Sequence, residues 1–292
     1  MFKTTPTVTV IILHYNEFAL TKRCIQSVEQ TRYDRFDILV VDNGSTNNSG
    51  KKLEQYCRHK KLLYIRSDKN LFYTGGFNLG AKQANGKFVI FLNNDTEVDA
   101  EWVSELVTYS EGSNNIFIQP QILFSDKRKT IDNRGGKYTW WGSGIGIGRN
   151  QPMMRVTSNI VDYTVGTACM INRSFFLKLG GFDEWYRGYY EDVDLSLRVK
   201  KNGGICKVCY NSLVYHKGSS TYKKHITPTS HLFDIRKNRL RTVLKNFQGI
   251  ELYVRTTLAL LSYLGLLIFD PKHALTTIRA IFYAFHPNKL KQ

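Results

Sequence analysis

The chain has 292 residues, 42% apolar and 13% aromatic, which is enough to bury a sizeable core and excludes wholesale disorder. Its 41 basic against 24 acidic side chains leave a formal charge of +17, favouring a polyanionic partner: nucleic acid, an anionic membrane surface or a phosphorylated substrate. Five scattered cysteines, an odd number, suggest no disulfide framework and fit a reducing compartment.

Val8 to Leu13 is a short, nearly unbroken apolar run, as expected of a strand buried on both faces, and it is too short to read as a signal region. His14-Tyr15-Asn16-Glu17 breaks it, and helical spacing follows from Phe18 to Gln30. Phe36 to Val41 reads as a second strand, closed by Asp42-Asn43-Gly44-Ser45-Thr46, turn residues that also cap helices. A polar helix then runs to about Arg58, and Leu62 to Arg66 is a third strand. Asn70 to Asn78 reads as a loop containing Gly75-Gly76, with a short helix through Ala84. Phe88 to Leu92 is a fourth strand, ending in Asn93-Asn94-Asp95-Thr96.

Strands alternating with helices in this way predict a parallel α/β sheet with right-handed crossovers, and such sheets bind ligands at the carboxyl ends of their strands. Tyr15, Asn16, Asp42, the Gly75-Gly76 loop and Asn93-Asn94-Asp95 fall on that edge. Asp42 or Asp95 alone reads as an ordinary turn residue. Two acidic strand ends and a glycine loop on one edge favour a site.

Ala100 to Ser110 is predicted helical, and a strand lies near Ile116 to Ile122. From Asp126 to Ser158 the chain turns basic and glycine-rich, with Trp140-Trp141 before Gly142-Ser143-Gly144-Ile145-Gly146-Ile147-Gly148. The spacing is not that of a dinucleotide fingerprint and no strand immediately precedes it. A flap is expected, its tryptophans covering a ligand or packing a core edge. Asp162 to Asn172 reads as a strand, leading into a short helix from Arg173 to Leu179.

The stretch from Gly180 to Arg198 organises the rest. A glycine pair and an aromatic loop deliver Glu191, Asp192 and Asp194 to a helix start; Leu195 and Val199 recur at i, i+4, and Asn202-Gly203-Gly204 supplies a stop. Carboxylates in a first turn meet backbone N–H groups that lack intrahelical partners, which suits simple capping or a general base ionised at neutral pH. Ile205 to Tyr210 and Leu213 to Gly218 read as two short strands, with His216 on the second; Cys206 and Cys209 have no second pair to complete a zinc site. His231 to Phe247 is a basic amphipathic helix carrying Arg236, Lys237, Arg239 and Arg241. Thr256 to Phe269 is apolar and uncharged, but at about 14 residues falls short of the roughly 18–20 that span a bilayer. With Ala274 to Phe285 it is expected to pack on the core or to lie in a membrane interface, the four basic residues facing an anionic leaflet.

These motifs add up. The opening Val-Ile-Ile-Leu-His-Tyr-Asn, Val-Val-Asp42-Asn-Gly-Ser, Asn70 to Gly80, Leu-Asn93-Asn94-Asp95-Thr, Gly180-Gly-Phe-Asp-Glu and Glu191-Asp192-Val-Asp-Leu occur in that order. On them, from about Thr7 to Phe247, the chain resembles glycosyltransferase family 2, inverting enzymes of GT-A fold, in its bacterial rhamnosyltransferase-like branch. The resemblance implies an α/β GT-A domain over residues 1–247, a Rossmann-like, mostly parallel sheet flanked by helices. Its nucleotide-binding half would be about 1–122 and its acceptor and catalytic half about 123–247, followed by a C-terminal apolar helical appendage over 248–292.

It further implies transfer of a sugar from a dTDP- or UDP-linked donor, rhamnose-like or another hexosyl or N-acetylhexosaminyl group. The acceptor would be a hydroxyl of a glycan or lipid-linked glycan in cell-surface polysaccharide synthesis. The enzyme would be cytoplasmic, or peripheral on the inner face of the cytoplasmic membrane. Tyr15, Asn16, Asp42, Gly75, Gly76, Asn78, Asn93 and Asn94 would bind the nucleotide sugar, Asp42 accepting from the imide N–H of uracil or thymine. Asp95 and His216 would hold a divalent metal, Mg²⁺ or Mn²⁺. Asp192 would be the catalytic base, with Glu191 beside it shaping the acceptor site. Asn93 stands where the usual Asp-x-Asp has its first aspartate, and a neutral amide is a poorer ligand for a hard cation. A basic nucleic-acid-binding protein is the rival that the charge permits, but the chain has no helix-turn-helix, zinc or RNA-binding signature. A catalytically dead sugar-binding module is opposed by the presence of Asp95, Asp192 and His216.

Overall fold

Val8, Val10 and Ile12 of β1 (Val8–His14) pack into one apolar layer and Ile11 into another, the period of two of a strand covered on both faces. β4 (Phe88–Asn93) repeats the pattern, with Phe88, Ile90 and Leu92 in the first layer and Val89 and Phe91 in the second. The computed structural model describes residues 6–110, 113–154, 158–218 and 227–286. The last part of the expected flap, residues 155–157, and the end of the tail, residues 287–292, lie outside them.

One sheet organises the chain, and its parallel part is β4, β1, β2 (Phe36–Asp42) and β3 (Leu63–Arg66), in that order. β11 (Ala168–Asn172) runs antiparallel between β4 and β6 (Ile116–Phe124). β12 (Ile205–His216) is parallel to β6, and the edge strand β10 (Ser158–Val161) is antiparallel to β12. β5 (Thr96–Val98) pairs with β12, and β7 (Ile131–Asn133) with β6. The hairpin of β8 (Gly136–Tyr138) and β9 (Gly144–Gly146) stands apart.

Helices cover both faces. α1 (Phe18–Val28), α2 (Ser49–Lys60) and α4 (Trp102–Tyr109) bury Ile25, Leu53 and Trp102 in the first layer. α3 (Phe72–Gln83), α5 (Arg173–Lys178) and α6 (Glu191–Lys201) bury Phe77, Phe176 and Leu195 in the second. Each such side chain contributes about 1.5–3 kcal/mol by leaving water. α7 (Pro228–Asn246), capped by Thr227, packs on α6, and α8 (Gly249–Phe269) and α9 (Ala274–Phe285) pack on α7 around Leu240, Tyr263 and Ala284.

Several elements differ from expectation. Gly75 and Gly76 lie within α3, not in a loop. Close approach explains them: a Cβ on Gly76 would sit 2.4 Å from Leu13 Cδ1, and one on Gly75 2.8 Å from Leu71 Cβ. The two strands expected after Gly204 are one, with a bulge between Cys209 and Leu213 where Ser212 Oγ donates to the Trp102 carbonyl. Cys206 and Cys209 consequently enter opposite layers. The strand expected from Asp162 to Asn172 is confined to β11, preceded by a loop over residues 162–167. Trp140 and Trp141 are exposed, the guanidinium of Arg255 lying 4.2 Å from the Trp140 ring centroid.

The tail departs most. α8 has 21 residues because its polar first turns continue the helix, helped by a 2.8 Å i, i+4 pair between Arg255 and Glu251, and it is long and apolar enough by composition to cross a bilayer. The four basic residues before it turn inward. Arg236 bonds Asp270, Lys237 bonds Asp234, Arg239 bonds Ser262, and Arg241 lies over Trp185. They do not form a surface for an anionic leaflet.

Candidate active site

Strand register aligns the chemistry-bearing ends: His14 is paired with Asp42, Leu13 with Asn93, and Asp42 with Arg66. The loops leaving these strands are locked to one another. Asn16, at a positive φ of 61°, accepts at Oδ1 from the N–H groups of Thr46 and Asn47. Asn43 accepts from the Leu71 N–H and donates to the Phe72 carbonyl. Asp42 is fully buried; Oδ1 accepts from the Ser45 N–H at 3.0 Å, and Oδ2 accepts from Tyr64 Oη at 3.1 Å and from Arg66. Both oxygens are thus engaged before any ligand arrives. Tyr15 is half-buried on the same edge.

Beyond β4 the chain turns at Asn93, whose carbonyl accepts from Thr96 Oγ1 at 2.6 Å. Asn94 points its Nδ2 inward to Thr21 Oγ1 at 2.9 Å, and Thr21 in turn meets His14 Nδ1 at 2.7 Å. Burial lowers His14 to about 4, so this polar relay under the site is neutral. Pairing of Thr96 with His216 brings Asp95 to the imidazole, with Asp95 Oδ2 and His216 Nε2 3.5 Å apart. Asp132, which the sequence did not single out, meets the other ring nitrogen, Nδ1, at 2.7 Å. Burial pushes His216 down, but Asp132 and Asp95 outweigh it and raise the group to about 9.

The second half of the site is the Gly180–Asp192 loop. Gly180 and Gly181 have φ of 84° and 72°, and a Cβ on Gly181 would lie 2.5 Å from Asn78 Oδ1. Asn78 was expected against the nucleotide. Its amide instead brackets Phe182, accepting from the N–H and donating to the carbonyl, each at 2.8 Å. A cavity of about 550 Å³ lies beside that turn, lined by Asn78, Lys82, Arg198 and Lys245, and neither Asp95 nor Asp192 lines it.

Immediately before α6, Tyr189 and Tyr190 both adopt left-handed φ, 65° and 69°, a conformation that costs about 1–3 kcal/mol at each such residue. Asn238 of α7 holds this turn, its Nδ2 donating to the carbonyls of Gly188 and Tyr189 at 2.8 Å each. The three acids of the first turn then separate by environment. Asp194 is fully buried and paired with Arg198, Lys245 and Asn246, a structural tie between α6 and α7. Glu191 is buried with Oε2 unpartnered, and burial, then the charge of Asp192, push it well above the usual carboxylate range. Asp192 is half-buried; Oδ2 accepts from the Gly166 N–H at 3.1 Å and Oδ1 from the Val193 N–H at 2.8 Å. Burial raises it to about 6, with those N–H groups opposing the rise. Burial thus favours the neutral form of Glu191 more strongly than that of Asp192, a separation in the sense that acid–base sites use.

One loop joins the two halves: Gly166 donates to Asp192, and the next residue, Thr167, accepts from the Asn93 N–H at 3.0 Å. Among the described residues no three His, Cys, Asp or Glu side chains converge on a cation cage. Asp95 and His216 are two donors of opposite softness, a carboxylate oxygen and an imidazole nitrogen, 3.5 Å apart. Ligands about 2.1 Å from one octahedral ion lie about 3 Å apart, and Mg²⁺-type sites take one or two protein donors with substrate phosphates completing the shell. The pair fits such an ion.

A model of glycosyl transferase family 2 matches residues 9–180. Among curated relatives, the chain is 29% identical over 233 residues to the O-antigen biosynthesis protein RfbC of Myxococcus xanthus, covering 74% of this chain and 18% of that one. It is 31% identical over 179 residues to the low-salt glycan biosynthesis hexosyltransferase Agl10 of Haloferax volcanii, covering 59% and 57%. The chain thus spans less than two thirds of either relative. Among solved structures, GalNAc-T7 with UDP, GalNAc and Mn²⁺ superposes with a TM-score of 0.67 at 20% identity, over 83% of this chain and 48% of that one. Staphylococcus aureus TarS 1–349 with UDP-GlcNAc gives 0.66 at 15% identity, over 96% and 81%. At these identities the likeness is one of fold, and that fold is GT-A.

Proposed function

This chain belongs to glycosyl transferase family 2, and on that premise we propose that it transfers a sugar from a UDP- or dTDP-linked donor to a hydroxyl of a glycan or lipid-linked glycan, inverting the anomeric carbon. The observation that carries the reading is the loop that ties the Asp192 carboxylate to the Asn93 backbone through adjacent residues, Gly166 and Thr167. It sets a half-buried base beside the motif expected to face the diphosphate. A rhamnose-like donor is favoured by the sequence resemblance, and nucleotide-sugar use by the UDP-bound neighbours.

In this reading Asp192 takes the proton from the acceptor hydroxyl as the oxygen attacks the anomeric carbon from the face opposite the diphosphate. One displacement needs no enzymic nucleophile. Glu191, pushed toward its neutral form behind Gly166, shapes the wall and leaves Asp192 as the acid that carries charge more readily. Asp95 and His216 would hold Mg²⁺ or Mn²⁺, which supplies positive charge against the developing diphosphate. Arg66 fixes Asp42 toward the base edge, and Asn16 and Asn43 hold the loops around it. Gly76 acts by letting α3 approach β1 at Leu13, and a Cβ on Gly75 would instead meet Leu71 Cβ at 2.8 Å. A screen of UDP-, dTDP- and GDP-sugars by thermal shift and donor hydrolysis, with and without Mn²⁺, tests the reading. Stabilisation and slow hydrolysis with one UDP- or dTDP-sugar are expected; no response to any sugar nucleotide would overturn it.

Peripheral docking on an anionic membrane is supported by the outer faces of α8 and α9. Leu261, Leu264, Ile268, Leu275, Ile278 and Phe282 are exposed there, with exposed Lys272 and Arg279 beside them. Flotation with anionic liposomes, comparing the wild type with Leu264→Glu/Ile268→Glu, is the check. The wild type should float and the variant should not.

A further inference from the structure

We propose that Asp132 is a positioning residue for the cation site: it fixes the ring of His216 so that Nε2, and not Nδ1, faces Asp95 and the divalent ion. This rests on the reading of Asp95 and His216 as cation donors. It adds a residue from the glycine-rich segment that the family motifs do not reach.

A neutral histidine has one N–H and one lone pair, and the partner of one nitrogen decides which form faces the other way. Asp132 Oδ2 lies 2.7 Å from Nδ1, with both side chains nine-tenths or more buried. An ionised carboxylate only accepts, so Asp132 keeps the proton on Nδ1, and it is the Nε2 proton that must leave to free a lone pair when a cation binds. That nitrogen is the one 3.5 Å from Asp95 Oδ2.

The carboxylate is itself held. Its Oδ1 accepts from Arg149 Nη1 at 2.8 Å, and the Arg149 guanidinium lies 5.2 Å from the Phe124 ring centroid. The backbone delivers the pair through one strand: His216 of β12 is in register with Phe124 of β6, and β7 pairs the other edge of β6 at Leu123 and Ile131. The β6–β7 register shifts between Ile122, paired with Asn133, and Leu123, paired with Ile131, so Asp132 is the extra, bulged residue of β7.

The test reads Mn²⁺ affinity in the full chain, from the electron paramagnetic resonance signal of free Mn²⁺ with UDP present. Asp132→Asn should weaken Mn²⁺ binding by about 10–100-fold, as loss of an orienting partner does elsewhere. His216→Ala should weaken it at least as much, and Asp132→Asn should add nothing in the His216→Ala background. Wild-type affinity in Asp132→Asn, or an additive loss in the double variant, overturns the assignment while leaving His216 as a donor. Wild-type affinity in His216→Ala overturns the cation reading itself and the inference with it. A second measurement needs no variant to fold: the ¹⁵N resonances of His216 in wild-type protein with Mg²⁺ and UDP. A proton on Nδ1 is expected, and a proton on Nε2 would contradict the proposal.

Discussion

The Gly166 N–H donates to Asp192 Oδ2 at 3.1 Å while the Gly166 carbonyl accepts from Tyr73 Oη at 2.6 Å. A single peptide segment is therefore gripped from α6 and α3 together. A Cβ at Gly166 would lie 2.6 Å from Tyr73 Oη and 3.3 Å from Glu191 Oε1, so these side chains or the loop must shift to admit it. Gly166→Ala should lower kcat by about 10–100-fold, in the range that misplacing a reacting group costs, with a loss of stability of about 1–3 kcal/mol from overpacking. Steady-state kinetics on the accepted donor checks this.

The pH profile follows from Asp192. Its folded pKa is raised to about 6, and the base works only when ionised, so kcat/KM should rise with pH through about 6 and then level off. Burial and the Asp192 charge push Glu191 toward its neutral form, which Glu191→Gln imitates, so that variant should keep the acidic limb. Loss of the limb in Glu191→Gln would mean that the roles of the two acids are reversed.

Cation binding should be pH-dependent in the opposite sense to proton binding at His216. With the imidazole raised to about 9, a proton competes for Nε2 at neutral pH. Mn²⁺ affinity should therefore increase as pH rises from about 6 to about 8. A titration at several pH values measures it, and an affinity independent of pH would remove His216 from the donor set.

Asp194 resembles Asp192 in sequence and differs in consequence. It is fully buried against Arg198, Lys245 and Asn246, and removing one partner of a buried pair typically costs about 3–5 kcal/mol. Asp194→Ala should lose stability on that scale in urea unfolding, whereas Asp192→Asn should not.

Much of this was legible beforehand. The unbroken apolar runs of β1, β2 and β4 and the polar residues at their ends define the parallel sheet and its binding edge without tertiary information. The start of α6 was readable from three carboxylates after an aromatic loop. Other features depend on contacts that local sequence does not encode. The Gly75-Gly76 pair reads as a turn, yet it lies in a helix, where Gly76 is required because Leu13 leaves no room for a side chain. Asp132 sits in a stretch with no periodicity, and only the pairing of β7 on β6 brings it to His216. Locally only Arg198, four residues on, separates Asp194 from Asp192; the rest of the distinction is made by Lys245 and Asn246, some fifty residues away.

The most direct test of the account is the turnover of Asp192→Asn on the accepted nucleotide sugar, measured beside its donor affinity. Asp192→Asn removes the proton acceptor and keeps the shape of the side chain, so donor binding should match wild type while kcat falls by at least about 10²-fold. Turnover close to wild type, with the donor still bound, would contradict Asp192 as the base and with it the proposed mechanism.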